Sequence, residues 1–306
     1  MKKIFCILII LFCLSACQNK PHENSGFTSN TENAYYQRVF DTKTEKAKLS
    51  CPIFGIHSTK FLNSSDFNSF GKYMKNMNFV SSDFDIKNNF PSDFVIKCFA
   101  QNITPIVSVA YSENTADMIK FAKSTKETSI KTCYNIFPLR ENLNPEKYSD
   151  NCKTMYSLLK KYSPHCKIIQ TFDCFKDLNY KDYIPTEDYF DYIGIECIFD
   201  NAYDNIDTIE KLNSVLDILQ NYNKPVILFF AVSHYDGESH RYEIEGAEKF
   251  IEYFYKYYAP YKENIYAVIY MDENNTNKSC DYLNANDYSI SNTEELSKTL
   301  ENITNN

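Results

Sequence analysis

The chain has 306 residues, 43% hydrophobic and 24% charged, an ordinary globular balance that suffices for one large core or two small ones. Its formal net charge of −8 argues against nucleic acid as a partner, because phosphate binding needs a basic surface. The 11 cysteines include no Cys-x-x-Cys pair, which argues against a zinc ribbon or a thioredoxin-like site, and buried free thiols are the expectation.

In chain order, Met1-Lys2-Lys3 is a short basic start. The apolar run from Ile4 to Ala16 that follows is shorter than the ~20 residues that span a bilayer. Residues 1–16 therefore read as a secretory signal peptide. It ends in Leu14-Ser15-Ala16-Cys17, which resembles a bacterial lipobox and implies cleavage before Cys17 and lipidation of that cysteine. Several acyl chains on one residue hold a protein at a membrane stably. Residue 18 is Gln rather than Asp, so an inner-membrane retention signal is absent, and the expected location is the cell envelope, at the outer membrane or cell surface. Residues 17–50 carry few aliphatic side chains and read as a polar tether, leaving one folded domain over 51–306.

Within that domain, short apolar runs alternate with longer amphipathic ones. CPIFGIH, NFVSSDFD, TPIVSVAY, KTCYNIFPL, KIIQTF, DYIGIECIF, KPVILFFAV and NIYAVIYM read as strands. SSDFNSFGKYMKNM, PSDFVIKCFAQN, TADMIKFAKSTKE, NPEKYSDNCKTMYSLLKKYS, TIEKLNSVLDILQNY, GAEKFIEYFYKYY and SISNTEELSKTLENI read as helices. Asn144 is an N-cap candidate with Pro145 at the first helical position, and Ser291 to Glu294 fits a capping box. The strands are apolar nearly throughout, as in a parallel sheet covered on both faces. Eight strand–helix repeats in a domain of this size predict an α/β fold, a (β/α)8 TIM barrel; a doubly wound open sheet is the runner-up. No G-x-G-x-x-G or P-loop pattern occurs, and no cofactor is expected.

In such a barrel, function sits at the C-terminal ends of the strands. There the sequence offers His57, then Asp83 and Asp85, then Tyr111 and Glu113. Arg140, Glu141 and Asn142 follow strand four, Asp173 follows strand five, and Glu196 lies late in strand six. Ser233, His234 and Asp236 follow strand seven; Tyr270, Asp272 and Glu273 close the circuit. A mouth rich in carboxylates and tyrosines suits sugars, since carboxylates accept from hydroxyls and aromatic faces stack on sugar rings.

YIPTEDYFDYIGIECIF, residues 183–199, resembles the strand-six segment of family 26 glycoside hydrolases, the β-mannanase family; Tyr183, Pro185, Tyr189, Asp191 and Gly194 fit, and Thr186 replaces a Gly. NIFPLRENLNPEKY resembles that family's acid/base segment, with Glu141 at the acid/base position, Phe137 in the place of its Arg and Arg140 in the place of its His. KPVILFF resembles its nucleophile strand, yet the nucleophile position, counted from Lys224-Pro225, falls on Phe230. The resemblance implies a glycoside-hydrolase-like barrel with Glu141 as catalytic acid and a polysaccharide or oligosaccharide partner. The strand ends themselves offer the expected substrate-binding mouth: His57, Asp83, Tyr111, Glu113, Asn142, Glu196, His234, Asp236, Tyr270 and Asp272.

Retaining hydrolysis needs two carboxyl groups ~5 Å apart, and an inverting pair stands ~6.5–9.5 Å apart. Three readings follow. In the first, Glu141 works with a relocated carboxylate such as Glu196, Asp236 or Asp272 on a β-linked, mannan-like polysaccharide. In the second, the barrel is an inactive glycan-binding surface lipoprotein. In the third, the loop from His234 to His240 holds a hydrolytic metal.

Overall fold

The computed structural model describes residues 53–62, 77–127, 131–139, 143–175, 179–184, 189–202, 205–262, 264–276 and 285–304. Its strands in chain order are β1 (Ile53–His57), β2 (Phe79–Phe84), β3 (Thr104–Val109), β4 (Cys133–Ile136), β5 (Lys167–Asp173), β6 (Tyr192–Phe199), β7 (Val226–Val232), β8 (Tyr235–Asp236), β9 (Arg241–Tyr242) and β10 (Ile265–Met271). Strands β8 and β9 pair only with each other, as a small antiparallel hairpin that the sequence did not suggest. The other eight are parallel and close on themselves in the order β1-β10-β7-β6-β5-β4-β3-β2. This is the expected (β/α)8 barrel, and each of its strands coincides with one of the predicted apolar runs.

The helices are α1 (Ser92–Ala100), α2 (Thr115–Ser124), α3 (Pro145–Tyr162), α4 (Tyr180–Tyr183), α5 (Ile206–Gln220), α6 (Ile244–Tyr253) and α7 (Glu294–Thr304). Local chemistry sets their starts. The Asn144 side chain accepts from the Lys147 N–H at 2.9 Å, with Pro145 opening α3, and the Asn114 side chain accepts from the Ala116 N–H at 3.0 Å to open α2. Each cap satisfies a backbone donor that the helix cannot. Helix α7 departs from expectation: it begins at Glu294, and Ser291 donates its hydroxyl to Asp272 instead of capping. The helix predicted between the first two strands falls largely on residues 63–76, outside the described residues.

Two apolar layers divide the molecule. The outer layer joins one face of each strand to the helices through residues such as Val95, Met118, Leu159, Leu216, Phe250 and Leu300. The inner layer is smaller and is built almost wholly from strands: Phe79, Ile106, Cys133, Ile169, Ile227, Phe229, Ala267 and Ile269. Side chains alternate along a strand, so these inner residues fix which positions face the barrel interior. Cys98, Cys133, Cys152, Cys166, Cys174 and Cys197 are buried free thiols, and burial pushes Cys98 and Cys133 up to about 12. Among the described residues no helix is long and apolar enough to cross a membrane.

Candidate functional site

Counting inward positions upward from the inner layer builds the mouth of the barrel. On β2, Phe79 is followed by Ser81 and Asp83; on β3, Ile106 by Ser108; on β4, Cys133 by Asn135; on β5, Ile169 by Thr171 and Asp173. On β6, Glu196 shares the face of Gly194 and Ile198, and on β1 His57 shares that of Ile53. The polar residues are linked. His57 Nδ1 lies 2.9 Å from Ser81 Oγ, and its Nε2 faces Asp83 Oδ2 at 3.9 Å. Thr171 donates to Asn135 Oδ1 at 2.7 Å, and Asn135 Nδ2 donates to Ser108 Oγ at 3.4 Å. Burying such groups is costly unless they pair, and this network pairs them. Gly194 makes room for it: a Cβ there would stand 2.0 Å from Thr171 Oγ1.

Above the network opens a cleft of about 570 Å³, lined by Asp83, Phe84, Asp85, Ser108, Ala110, Tyr111, Pro138 and Leu143. Its far wall depends on an unusual backbone. Phe137, at the end of β4, has φ 52°, a left-handed conformation that bulky residues rarely adopt. The turn is held from both sides: the Phe137 N–H donates to Val109 O at 2.9 Å, and its carbonyl accepts from the Tyr148 hydroxyl at 2.8 Å. It delivers Pro138 to the cleft. Tyr111 packs edge-on against Phe137 and accepts from Asn151 Nδ2 at 2.9 Å; burial is the main cause that raises its phenol above the ordinary value.

Of the residues expected at the mouth, Asp83 and Tyr111 line this cleft, His57 backs Asp83, and Glu196 faces the interior with its Cα paired to Asp173. Glu141 and Asn142 lie outside the described residues, as does Cys17. The remaining expected residues stand away from this cleft. Tyr270 points the other way: it is fully buried in the outer layer, edge-on to Phe230, and burial raises its phenol well above the usual value. Asp272 is fully buried and spoken for, accepting from the N–H groups of Ile290 and Ser291, the Ser291 and Ser58 hydroxyls, and Lys60 Nζ. Glu113 pairs with Lys147 on the surface and does not line the cleft.

His234 and Asp236 are drawn into other work. His234 is buried beneath Tyr242 of the hairpin, with Nε2 3.7 Å from Asp287 Oδ2. Desolvation lowers its titration, and Asp287 and Asp272 only partly offset that. Asp236 caps its own turn, accepting from the Glu238 N–H at 3.0 Å, and the hydrogen bond from the Ser239 side chain chiefly holds its carboxyl below the ordinary range. His240 turns to the Tyr235 hydroxyl. The would-be ligands of this loop diverge, and among the described residues no group of three or more His, Cys, Asp or Glu side chains converges.

Sequence reasoning passed over Ser108, Pro138 and Leu143. Strand parity, counted from Ile106, would have found Ser108. The segment that carries the family 26 resemblance is largely framework. The Tyr183 hydroxyl donates to Leu143 O at 3.0 Å, Tyr189 packs edge-on against Tyr156, and Asp191 accepts from Lys160, Lys167 and the Ile168 N–H.

A closed parallel eight-stranded barrel with a polar cleft at its C-terminal ends is a TIM barrel, and the solved structures it is similar to include glycoside hydrolases. One is the Ruminococcus gnavus β-glucuronidase, with TM-score 0.56 and 11% identity over 78% of this chain and 46% of that one. Another is a family 5 mannosidase from Rhizomucor miehei in its E301A form, with TM-score 0.55 and 9% identity over 85% of this chain and 94% of that one. An engineered protein gives TM-score 0.59 at 12% identity over 89% of this chain and 74% of its own. The chain thus spans about half the length of that β-glucuronidase, and at these identities the likeness is one of fold. The sequence matches no protein-family model and no curated protein.

Proposed function

We propose that this chain is an exported lipoprotein, held in the cell envelope by lipid on Cys17, whose barrel binds a β-linked, mannan-like polysaccharide at its mouth. The observation that carries the reading is the cleft itself. It combines carboxylates, hydroxyls and apolar walls at the strand ends where such barrels bind ligands. The family 26 resemblance in residues 183–199 and 135–148 adds the expectation of a mannan-like glycan. Binding without turnover is favoured by β7, whose seven residues are all buried and apolar and carry no carboxylate.

Hydrolysis is the second reading. It rests on Glu141 as acid and on Glu196, the one proposed second carboxylate that faces the barrel interior rather than a cap or a turn. The test uses the full chain in detergent and its Glu141→Gln variant with β-mannan, glucomannan, xylan and mixed-linkage glucan, following binding and reducing ends together. Saturable binding without new reducing ends supports the binder. Cleavage abolished by Glu141→Gln establishes the hydrolase. Neither binding nor cleavage on any of the four removes the glycan reading.

A further inference from the structure

The barrel has a second end. Its eight strands are parallel, so their first residues gather at one pole, opposite the mouth. Two tyrosines meet there. Tyr192 opens β6, Tyr266 is the second residue of β10, and their rings stack with centroids 5.3 Å apart and an interplanar angle of 27°. Phe79, the first residue of β2, packs edge-on against Tyr266. A bulge sets Tyr266 in place: the pairing of β10 with β7 shifts between Ile265 and Ala267. Such an insertion re-aims the extra side chain. Ile265 and Ala267 are buried, whereas Tyr266 between them is 37% exposed, and Tyr192 is half-buried. In barrel order β7 lies between β6 and β10, so Lys224, which leads into β7, stands between the strands of the two tyrosines; its Nζ lies 5.4 Å over the Phe190 ring. Lys167 opens the neighbouring β5, half exposed beside Asp191. The chain also enters the barrel at this pole. Ile53 opens β1, the neighbour of β10, and the stretch expected to run from the lipid on Cys17 leads into it.

We infer that this pole is the membrane-facing surface of the protein: the Tyr192–Tyr266 pair seats at the lipid–water interface, and the mouth opens away from the bilayer. The inference rests on the lipid-anchor reading above and goes beyond it, since an anchor alone fixes no face of the barrel. Tyrosine suits that place because its ring is apolar and its hydroxyl stays wet, the balance found at the headgroup level of membranes. The stack already holds both rings, so seating them loses little rotamer freedom. Lys224 and Lys167 keep their ammonium groups in water above apolar stems, at the level where anionic headgroups accept from them. This orientation presents the cleft to a polymer too large to pass between barrel and bilayer.

The chain has no Trp, so a single introduced one reports its own surroundings. Tyr266→Trp and Tyr192→Trp report the pole, and either suffices should the other disturb the stack. Tyr242→Trp, on the hairpin that follows β7, reports the mouth. Each full chain, lipidated, is incorporated into vesicles of phosphatidylethanolamine and phosphatidylglycerol. Its emission is compared with that of the same variant carrying Cys17→Ala, free in solution. On vesicles the pole reporters should shift to the blue and be quenched by lipids brominated near the headgroup, and the mouth reporter should do neither. A pole reporter as wet on vesicles as in solution, with the chain still bound, overturns the inference and leaves the anchor standing. So does quenching of the mouth reporter. A blue shift already present in the Cys17→Ala chain means that the tether or a second copy covers the pole, and this too overturns the inference. Failure of the chain to stay with the vesicles overturns the anchor reading and the inference together.

Discussion

The two sides of the barrel mouth are built on the same strand geometry and have opposite chemistry. From β1 to β6 the upper inward positions are His57, Ser81, Asp83, Ser108, Asn135, Thr171, Asp173 and Glu196; on β7 and β10 they are Phe229, Ala231 and Met271. One side pairs its polar groups with one another and opens onto a cleft. The other is a continuation of the core. Here β7 itself, Val226–Val232, carries no carboxylate, hydroxyl or imidazole. The difference teaches where a ligand site is to be sought: on the β2–β4 side, where the cleft opens.

The largest effect should come from the apolar side. Phe230 stacks on Phe254 with ring centroids 4.0 Å apart and is fully buried. Phe230→Ala should cost about 3–5 kcal/mol in denaturant unfolding while leaving glycan affinity in the surviving folded fraction unchanged. A loss of affinity at full folding would mean that β7 belongs to the site after all. Next comes the polar side. Gly194→Ala places a methyl against Thr171, the donor to Asn135, and should cost about 1–3 kcal/mol and weaken glycan binding as well, the opposite split from Phe230→Ala.

Below the polar side, Asp191 ties the start of β6 to β5. Burial alone would raise its carboxyl, but hydrogen bonds from Lys167, the Ile168 N–H and Lys160 outweigh that and hold it below the ordinary value. A carboxyl lowered in the folded state contributes stability above its unfolded value of about 4 and loses it as pH falls through the folded one. Asp191→Asn should therefore cost on the order of 1 kcal/mol at pH 7, and the two unfolding curves should converge in acid. A gap that persists to pH 2 would assign the cost to packing. The smallest effect is at the α3 cap: Asn144→Ala should cost about 1 kcal/mol by thermal unfolding, and Asn144→Ser should recover most of it.

The barrel was legible because a parallel strand covered on both faces is an apolar run bounded by turns, and eight such runs stand out even in a sequence with 6 glycines. The Asn144 cap was legible because an Asn that can accept from a free N–H, then a Pro suited to the first helical position, stands directly before a helical pattern. The facing of side chains was harder to read. Phe230 was counted as the nucleophile position from the Lys224-Pro225 start, yet it lies in the outer layer, and Phe229 is the residue that faces inward. Tyr270 likewise stands near a strand end, and its parity sets it in the outer layer. Asp272, His234 and Ser291 meet Lys60, Asp287 and Asp272, partners 19 to 212 residues away in the chain. No local pattern marks such pairs.

The most direct measurement is amide hydrogen exchange on the full chain in detergent, with and without a saturating β-mannoside oligomer. Added protection should appear at the ends of β2 and β3, over residues 83–85 and 108–111, and be absent over residues 229–236. Protection confined to the β7 end, or none anywhere with the oligomer in excess, would contradict a glycan site on the polar side of the mouth.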